Sequence, residues 1–215
     1  MLIPSSQKNI FEYKDIHKNQ TCCVFATGPS INKTDFNGLD SFFSFGCNSF
    51  YNHWFKTDYF CVTDNVVWNN HRKNLQRMQI PIFKNNKSNQ KNFVNIFLRR
   101  DQFLIECKKD YGAIDKGIYR GHTVVNHILQ IAFWMGFKTV FLFGCDCKYS
   151  DSSYECHFDK TPVDSLFRTE WEEVFEQYRI SKHFYELDNR KIYNATVGGN
   201  LEVFDRMSPL EWQKI

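Results

Sequence analysis

The chain alternates short apolar runs with longer stretches of mixed polarity. "TCCVFAT" (21–27), "FFSFGC" (42–47), "DYFCVT" (58–63), "IPIFK" (80–84), "KTVFLFG" (138–144) and "KIYNAT" (191–196) are each too short for a helix and rich in β-branched and aromatic residues. They predict strands, and the unbroken apolar run at 138–144 predicts one buried on both faces, as in a parallel sheet. Between them lie helical patterns. Residues 122–136, "HTVVNHILQIAFWMG", place apolar side chains at 124, 125, 128, 129, 131, 132 and 135, a wide stripe closed by Gly136. Residues 65–77 and 165–187 also read as helices, and 30–40 as a short helix or turn. "SPLEW" (208–212) predicts a last helical turn with Ser208 as N-cap and Pro209 at the first helical position.

Strands alternating with helices predict an α/β fold: one Rossmann-like, doubly wound, mainly parallel sheet spanning residues 1–215 as a single domain. The polar stretch 84–92, "KNNKSNQKN", reads as a surface loop inside that domain, and the segment from about 147 to 165 as a lid loop. Ligands of such sheets collect at the carboxyl ends of the strands, so the chemistry is sought there.

Composition narrows the class. An apolar content of 42% with 22 Phe is that of a folded chain. A net charge of +3 is too small to imply nucleic acid. No run of 18 apolar residues is present, so no spanning helix is expected. Five of the eight cysteines (22, 23, 47, 61 and 145) fall in apolar strand runs, where a thiol acts as a small hydrophobe. The opening "MLIPSSQKNIFEYKD" lacks the apolar core of a signal peptide. A reduced, cytoplasmic protein is the expectation, with peripheral association at the inner face of the membrane as an option. Cys145, Cys147, Cys156 and His157 form a conceivable zinc set, but the CxxC knuckle is missing, and no metal site is expected.

The strand ends carry the candidate residues. Thr27-Gly28-Pro29-Ser30 follows the first strand. It is either a plain turn with Ser30 as N-cap or a place where backbone N–H groups approach a phosphate. Asn48 and Ser49 follow the second strand, Asp64 the third and Asp146 the fifth. The two acids are helix caps, or groups that hold a ribose hydroxyl, a metal or an acceptor. Gly121-His122-Thr123 opens the long helix, as a cap or an anion site. GxGxxG and the P-loop pattern are absent. His157 lies in the lid, either as an inert loop histidine or as a general base near neutral pH, with Tyr149 and Tyr154 able to donate hydrogen bonds to a leaving phosphate. His127 sits in the helix stripe and reads as packed.

In their order, "TGPSI", "GCNSF", "YFCVTD", "YRGHTVVNHILQIAFWMGFKTVFLFGCD" and "IYNATVGGNLEVF" resemble the MptE-like family. That family is named after archaeal hydroxymethylpterin pyrophosphokinases and has many bacterial members in surface-polysaccharide systems. The layout is also similar to the bacterial sialyltransferases that decorate lipooligosaccharide. Gly28-Pro29-Ser30, Cys47-Asn48-Ser49-Phe50, Gly121-His122-Thr123, Gly144-Cys145-Asp146 and Ser152-Ser153-Tyr154 carry that likeness, which covers about residues 21–205. It implies a glycosyltransferase that takes a sialic acid or Kdo-like sugar from a CMP-activated donor to a glycan or lipid-linked oligosaccharide, without an essential metal. Carried over, Gly28, Ser30, Asn48 and Thr123 bind the donor, Tyr149 and Tyr154 contact its phosphate, and His157 is the base. The chain departs from the sialyltransferase pattern at Thr27, where Asn is expected, at Ala26, where Gly is expected, and in the position of the lid histidine. The alternatives are a pyrophosphokinase using Mg²⁺ held by Asp64 and Asp146, and a non-catalytic nucleotide-binding protein. A homo-oligomer is expected.

Overall fold

A computed structural model describes residues 9–85, 92–148, 156–160 and 171–212. Its centre is a seven-stranded sheet. The strands are β1 (Thr21–Phe25), β2 (Phe43–Cys47), β3 (Tyr59–Val62), β4 (Ile82–Asn85), β5 (Phe93–Ile96), β8 (Thr139–Phe143) and β9 (Lys191–Asn194). They lie in the order β5-β4-β3-β2-β1-β8-β9, and every pairing is parallel. The chain winds outward from β1 to β5, then returns to place β8 on the other side of β1. The fold is therefore α/β and doubly wound, and the β1/β8 junction is its topological switch point.

Alternation along each strand divides the core. Cys22, Val24, Val140 and Leu142 face one layer, and Cys23, Phe25, Phe141 and Phe143 face the other. The first layer holds α2 (Val124–Trp134) and α3 (Trp171–Leu187). Tyr185 donates its hydroxyl to the Leu129 carbonyl at 2.7 Å and so ties these two helices together. The second layer is aromatic. Phe25 packs among Phe36, Phe50, Phe55 and Phe143 at centroid distances of 5.5, 5.2, 5.1 and 5.1 Å. Its cover is α1 (Asn65–Leu75) and short 3-10 turns, including Pro29–Lys33, Leu39–Ser41 and Asn48–Asn52.

The helix signals act as read. Thr123 caps α2 by accepting the Asn126 N–H at 3.3 Å. Gly136, at φ +89°, closes it: the Gly136 N–H reaches the Phe133 carbonyl and the Phe137 N–H reaches the Ala132 carbonyl. Ser208 and Glu211 cap α4 (Pro209–Trp212) reciprocally at 3.2 and 2.9 Å.

Some boundaries differ from expectation. The short helix or turn expected over 30–40 is a pair of 3-10 turns, whereas β1 stops at Phe25 and β9 at Asn194, each two residues short of expectation. Both ends of the polar stretch 84–92 are structured: Lys84 and Asn85 belong to β4, and the Asn92 carbonyl accepts from Ile82 N–H. Three unexpected strands follow, β5 and the small parallel pair β6 (Leu98–Phe103) and β7 (Ile118–Arg120). Gln130 of α2 clamps β7, accepting from Tyr119 N–H at 2.9 Å and donating to the Tyr119 carbonyl at 3.0 Å. Among the described residues no helix is long and apolar enough to cross a membrane.

Candidate functional site

A cleft of about 570 Å³ opens at the carboxyl ends of the strands and straddles the β1/β8 junction. Thr27 and Gly28 after β1, Asn48 after β2, Asp64 after β3, Gly121, His122 and Thr123 before α2, and Asp146 after β8 all line it, together with His157. The strand-end residues singled out in the sequence are thus largely brought together. Pro29, Ser30 and Ser49 stand apart from its lining: Ser30 and Ser49 are buried in 3-10 turns. Tyr149 and Tyr154 lie outside the described residues.

The first turn is built by close approach. A Cβ on Gly28 would lie 2.0 Å from Asp146 Oδ2 and 2.4 Å from the Gly144 carbonyl oxygen, so only glycine lets β1 and β8 meet here. The Gly28 N–H donates to that Gly144 carbonyl at 3.0 Å, so it is spent on the junction. Ser30 donates its hydroxyl to Asp146 Oδ2 at 2.7 Å. Ser30 and Asp146 therefore brace the turn from behind, across 116 positions of sequence.

The next two rims have their own logic. Asn48 sits at φ +50°, a conformation that Asn tolerates better than most residues. Asp64 is a helix cap as well as a lining group. Its Oδ1 accepts the Val66 N–H at 2.6 Å and the Val67 N–H at 3.2 Å.

The α2 side is held by a buried histidine. His127 Nε2 accepts the Gly121 N–H at 3.0 Å, which leaves Nδ1–H to donate to Thr63 Oγ1 at 2.9 Å. Burial lowers the His127 pKa to about 4, with the Arg120 charge adding to the effect, so the ring is neutral. It fastens the Gly121 turn to the end of β3. Thr123 Oγ1 also meets the Tyr178 hydroxyl of α3 at 3.2 Å. His122 pairs with Glu173 at 3.2 Å, and its backbone N–H donates to Gln177.

His157 lies against the β1 turn. Its Nδ1 is 3.0 Å from Thr27 Oγ1, and the Phe158 N–H donates to the Thr27 carbonyl at 2.9 Å. Asn32 and Asn52 hold the same segment, donating to the Phe158 carbonyl and to Asp159 Oδ2, each at 2.9 Å. Burial lowers the His157 pKa, and the nearby Asp159 charge opposes the shift. The ring is then neutral near pH 7, with one nitrogen open to take a proton.

Several lining groups give no local sequence signal. Arg120 and Lys148 bring positive charge, and Tyr178 and Trp171 come from α3, far along the chain. The cysteines are inert packing: all eight are buried and form no disulfide, and burial pushes the Cys47 thiol up to about 12. Among the described residues no group of three His, Cys, Asp or Glu side chains is placed to hold a metal ion.

Comparison with known proteins adds a family and a fold. The family model described as 6-hydroxymethylpterin diphosphokinase MptE-like matches residues 3–152. No curated protein matches the chain in sequence. Two solved structures of the sialyltransferase CstII from Campylobacter jejuni superpose with a TM-score of 0.54. One, in complex with the substrate analogue cytidine-5'-monophosphate, is 14% identical, with 89% of this chain and 86% of that chain covered. The other, in complex with CMP-3FNeuAc, is 15% identical, with 88% and 85% covered. At these identities the likeness is one of fold.

Proposed function

The chain belongs to the 6-hydroxymethylpterin diphosphokinase MptE-like family, and we propose that it acts as a glycosyltransferase on a CMP-activated sugar. The sugar is a sialic acid or a Kdo-like acid, and the acceptor is a hydroxyl of a surface glycan or lipid-linked oligosaccharide. The observation that carries this reading is the neutral, half-buried His157 held at 3.0 Å by Thr27 on the rim of the switch-point cleft.

Each group has a task in that reaction. With Nδ1–H donating to Thr27, His157 Nε2 keeps a lone pair. It takes the acceptor proton as the acceptor oxygen bonds to the anomeric carbon. The bond from that carbon to the CMP phosphate breaks, and CMP leaves with the electron pair. Arg120, Lys148 and the Thr123-capped start of α2 line the same cleft and favour the departing anion. Asn48 is assigned to the nucleotide, and Tyr149 and Tyr154 to the phosphate. Ser30 and Asp146 act by bracing the turn. A cytoplasmic enzyme at the inner face of the membrane, and an assembly of several copies, suit a lipid-linked acceptor.

The family description favours a second reading, diphosphate transfer from ATP to a pterin alcohol. Mg²⁺ would then be held by Asp64 and Asp146. Both already spend an oxygen on the fold, Asp64 on the α1 cap and Asp146 on Ser30, so the pair makes a poor magnesium site. A third reading is a nucleotide-binding protein without turnover.

Release of CMP from CMP-sialic acid and CMP-Kdo tests the proposal, with a mixed oligosaccharide acceptor and EDTA present. Release that depends on acceptor and vanishes in His157→Ala is expected. Pterin diphosphate formation from ATP and Mg²⁺, with no CMP release, would replace it with the second reading.

A further inference from the structure

A second depression, of about 620 Å³, lies on the far side of the segment that carries His157. Trp54 stands on its rim and is 70% exposed, more than any other large apolar side chain among the described residues. The indole is nevertheless fixed. It packs edge-on against Phe36 at 5.3 Å and lies over His53 at 5.4 Å. His53 is itself held, stacking near Phe36 at 4.6 Å and accepting the Phe55 N–H at 3.1 Å.

The polar lining of this depression consists of amide, hydroxyl and carboxylate groups and the His53 imidazole. Asn32 and Asn52 donate their amide nitrogens to the 156–160 segment, which leaves each amide oxygen as an acceptor. Asp35 and Asn37 stand beside them, Asp35 accepting the Asn37 backbone N–H at 3.0 Å. Among the described residues its lining contains no lysine or arginine, whereas the donor cleft has Arg120 and Lys148. Its acidic groups, Asp35 and Asp159, would repel a phosphate or a carboxylate, and no lysine or arginine among the described lining residues offsets them.

We infer that this depression is an acceptor subsite for a neutral sugar. A pyranose ring has one face of C–H groups, which suits the electron-rich face of a fixed indole. Its hydroxyls are donors that suit carboxylate and amide oxygens. The lining charge selects against anionic ligands and so names the class as neutral. Asp159 is two residues from His157, a span of at most ~7 Å of chain. An oligosaccharide seated on Trp54 can therefore cross the segment and present a hydroxyl to His157. The acceptor role rests on the transferase reading; the sugar site itself does not.

A glycan array carrying neutral and sialylated oligosaccharides, probed with the full chain, tests the site alongside CMP titration. Neutral glycans bind the wild type, Trp54→Ala lowers that signal at least tenfold, and Trp54→Phe retains part of it. CMP affinity stays unchanged in both variants. Binding of CMP with no neutral glycan bound, or neutral binding that survives Trp54→Ala, overturns the subsite while the transferase reading stands. Neutral glycans lost with Trp54, in a protein that ignores CMP, uphold the sugar site and remove the transferase. Loss of CMP affinity in Trp54→Ala marks a folding fault, and Trp54→Phe then decides: full neutral binding without change overturns the subsite, and reduced binding with intact CMP affinity supports it.

Discussion

Thr27 Oγ1 lies 3.0 Å from His157 Nδ1, joining two residues 130 positions apart at the mouth of the cleft. Thr27 is the residue where the sialyltransferase pattern expects Asn. Here its hydroxyl fixes the orientation of the imidazole. Thr27→Val keeps the shape and removes the hydroxyl, so kcat should fall about tenfold with donor KM little changed, while Thr27→Ser retains activity. His157→Ala should cost at least about 100-fold in kcat. Steady-state kinetics on the two Thr27 variants check this, and wild-type kcat in Thr27→Val would detach Thr27 from the mechanism.

The pH profile carries a second expectation. Burial lowers the His157 pKa, so the acid limb of kcat/KM should have its midpoint below the ordinary histidine value of about 6.5. Asp159 raises that pKa by its charge. Removing the charge in Asp159→Asn makes the imidazolium less favourable, and the limb should move to still lower pH. A limb that moves upward would assign the titration to another group.

Stability should fall with acid because of His127. Its folded pKa of about 4 lies below the unfolded value, so the unfolded chain takes up the proton first. The contribution is fully present above about pH 6.5 and is lost progressively down to about pH 4, to a total of about 3 kcal/mol. Denaturant unfolding across that window should show the loss, and His127→Gln should flatten it. An equally steep profile in the variant would place the titration elsewhere.

Gly28 should tolerate no side chain. The added methyl of Gly28→Ala would meet Asp146 Oδ2 at 2.0 Å and the Gly144 carbonyl oxygen at 2.4 Å, neither of which can yield without opening the β1/β8 junction. The expected cost is about 3 kcal/mol, at the upper end for overpacking, read as a lower denaturant midpoint.

The parallel sheet was legible because both of its faces are buried. "KTVFLFG" and "TCCVF" have no polar alternation to confuse with a surface strand, and the stripe of α2 ends at a glycine in the left-handed conformation. Strand β6, "LRRDQF", was not legible: it belongs to a two-stranded sheet and mixes four polar residues with Leu98 and Phe103. Strand β5 follows a polar stretch and is only four residues long. Along the cleft, Thr27, Gly28, Asn48 and Thr123 were legible as lining residues because ligand clefts of such sheets lie at strand ends. The roles of Ser30 and Asp146 were not. Their hydrogen bond exists only once β1 and β8 are neighbours, so the bracing of the turn is not written in either local motif. Tyr178 and Trp171 reach the cleft from α3, where an aromatic on a helix face is indistinguishable from core.

The proposed nucleotide contact of Asn48 can be separated from the backbone that presents it. Asn48→Gly keeps the positive φ at no steric cost and removes the amide. CMP affinity should fall at least about tenfold, or about 1.4 kcal/mol, with the unfolding midpoint nearly unchanged. Unaltered CMP affinity would take Asn48 out of the donor site.

A transferase of the proposed kind takes a cytidine nucleotide into the cleft at the β1/β8 junction without a metal. Titration calorimetry of the full chain with CMP in EDTA, run beside ATP with Mg²⁺, decides between the two readings. Saturable CMP binding that EDTA leaves intact is expected. Heat only from ATP with Mg²⁺, and none from CMP, would contradict it.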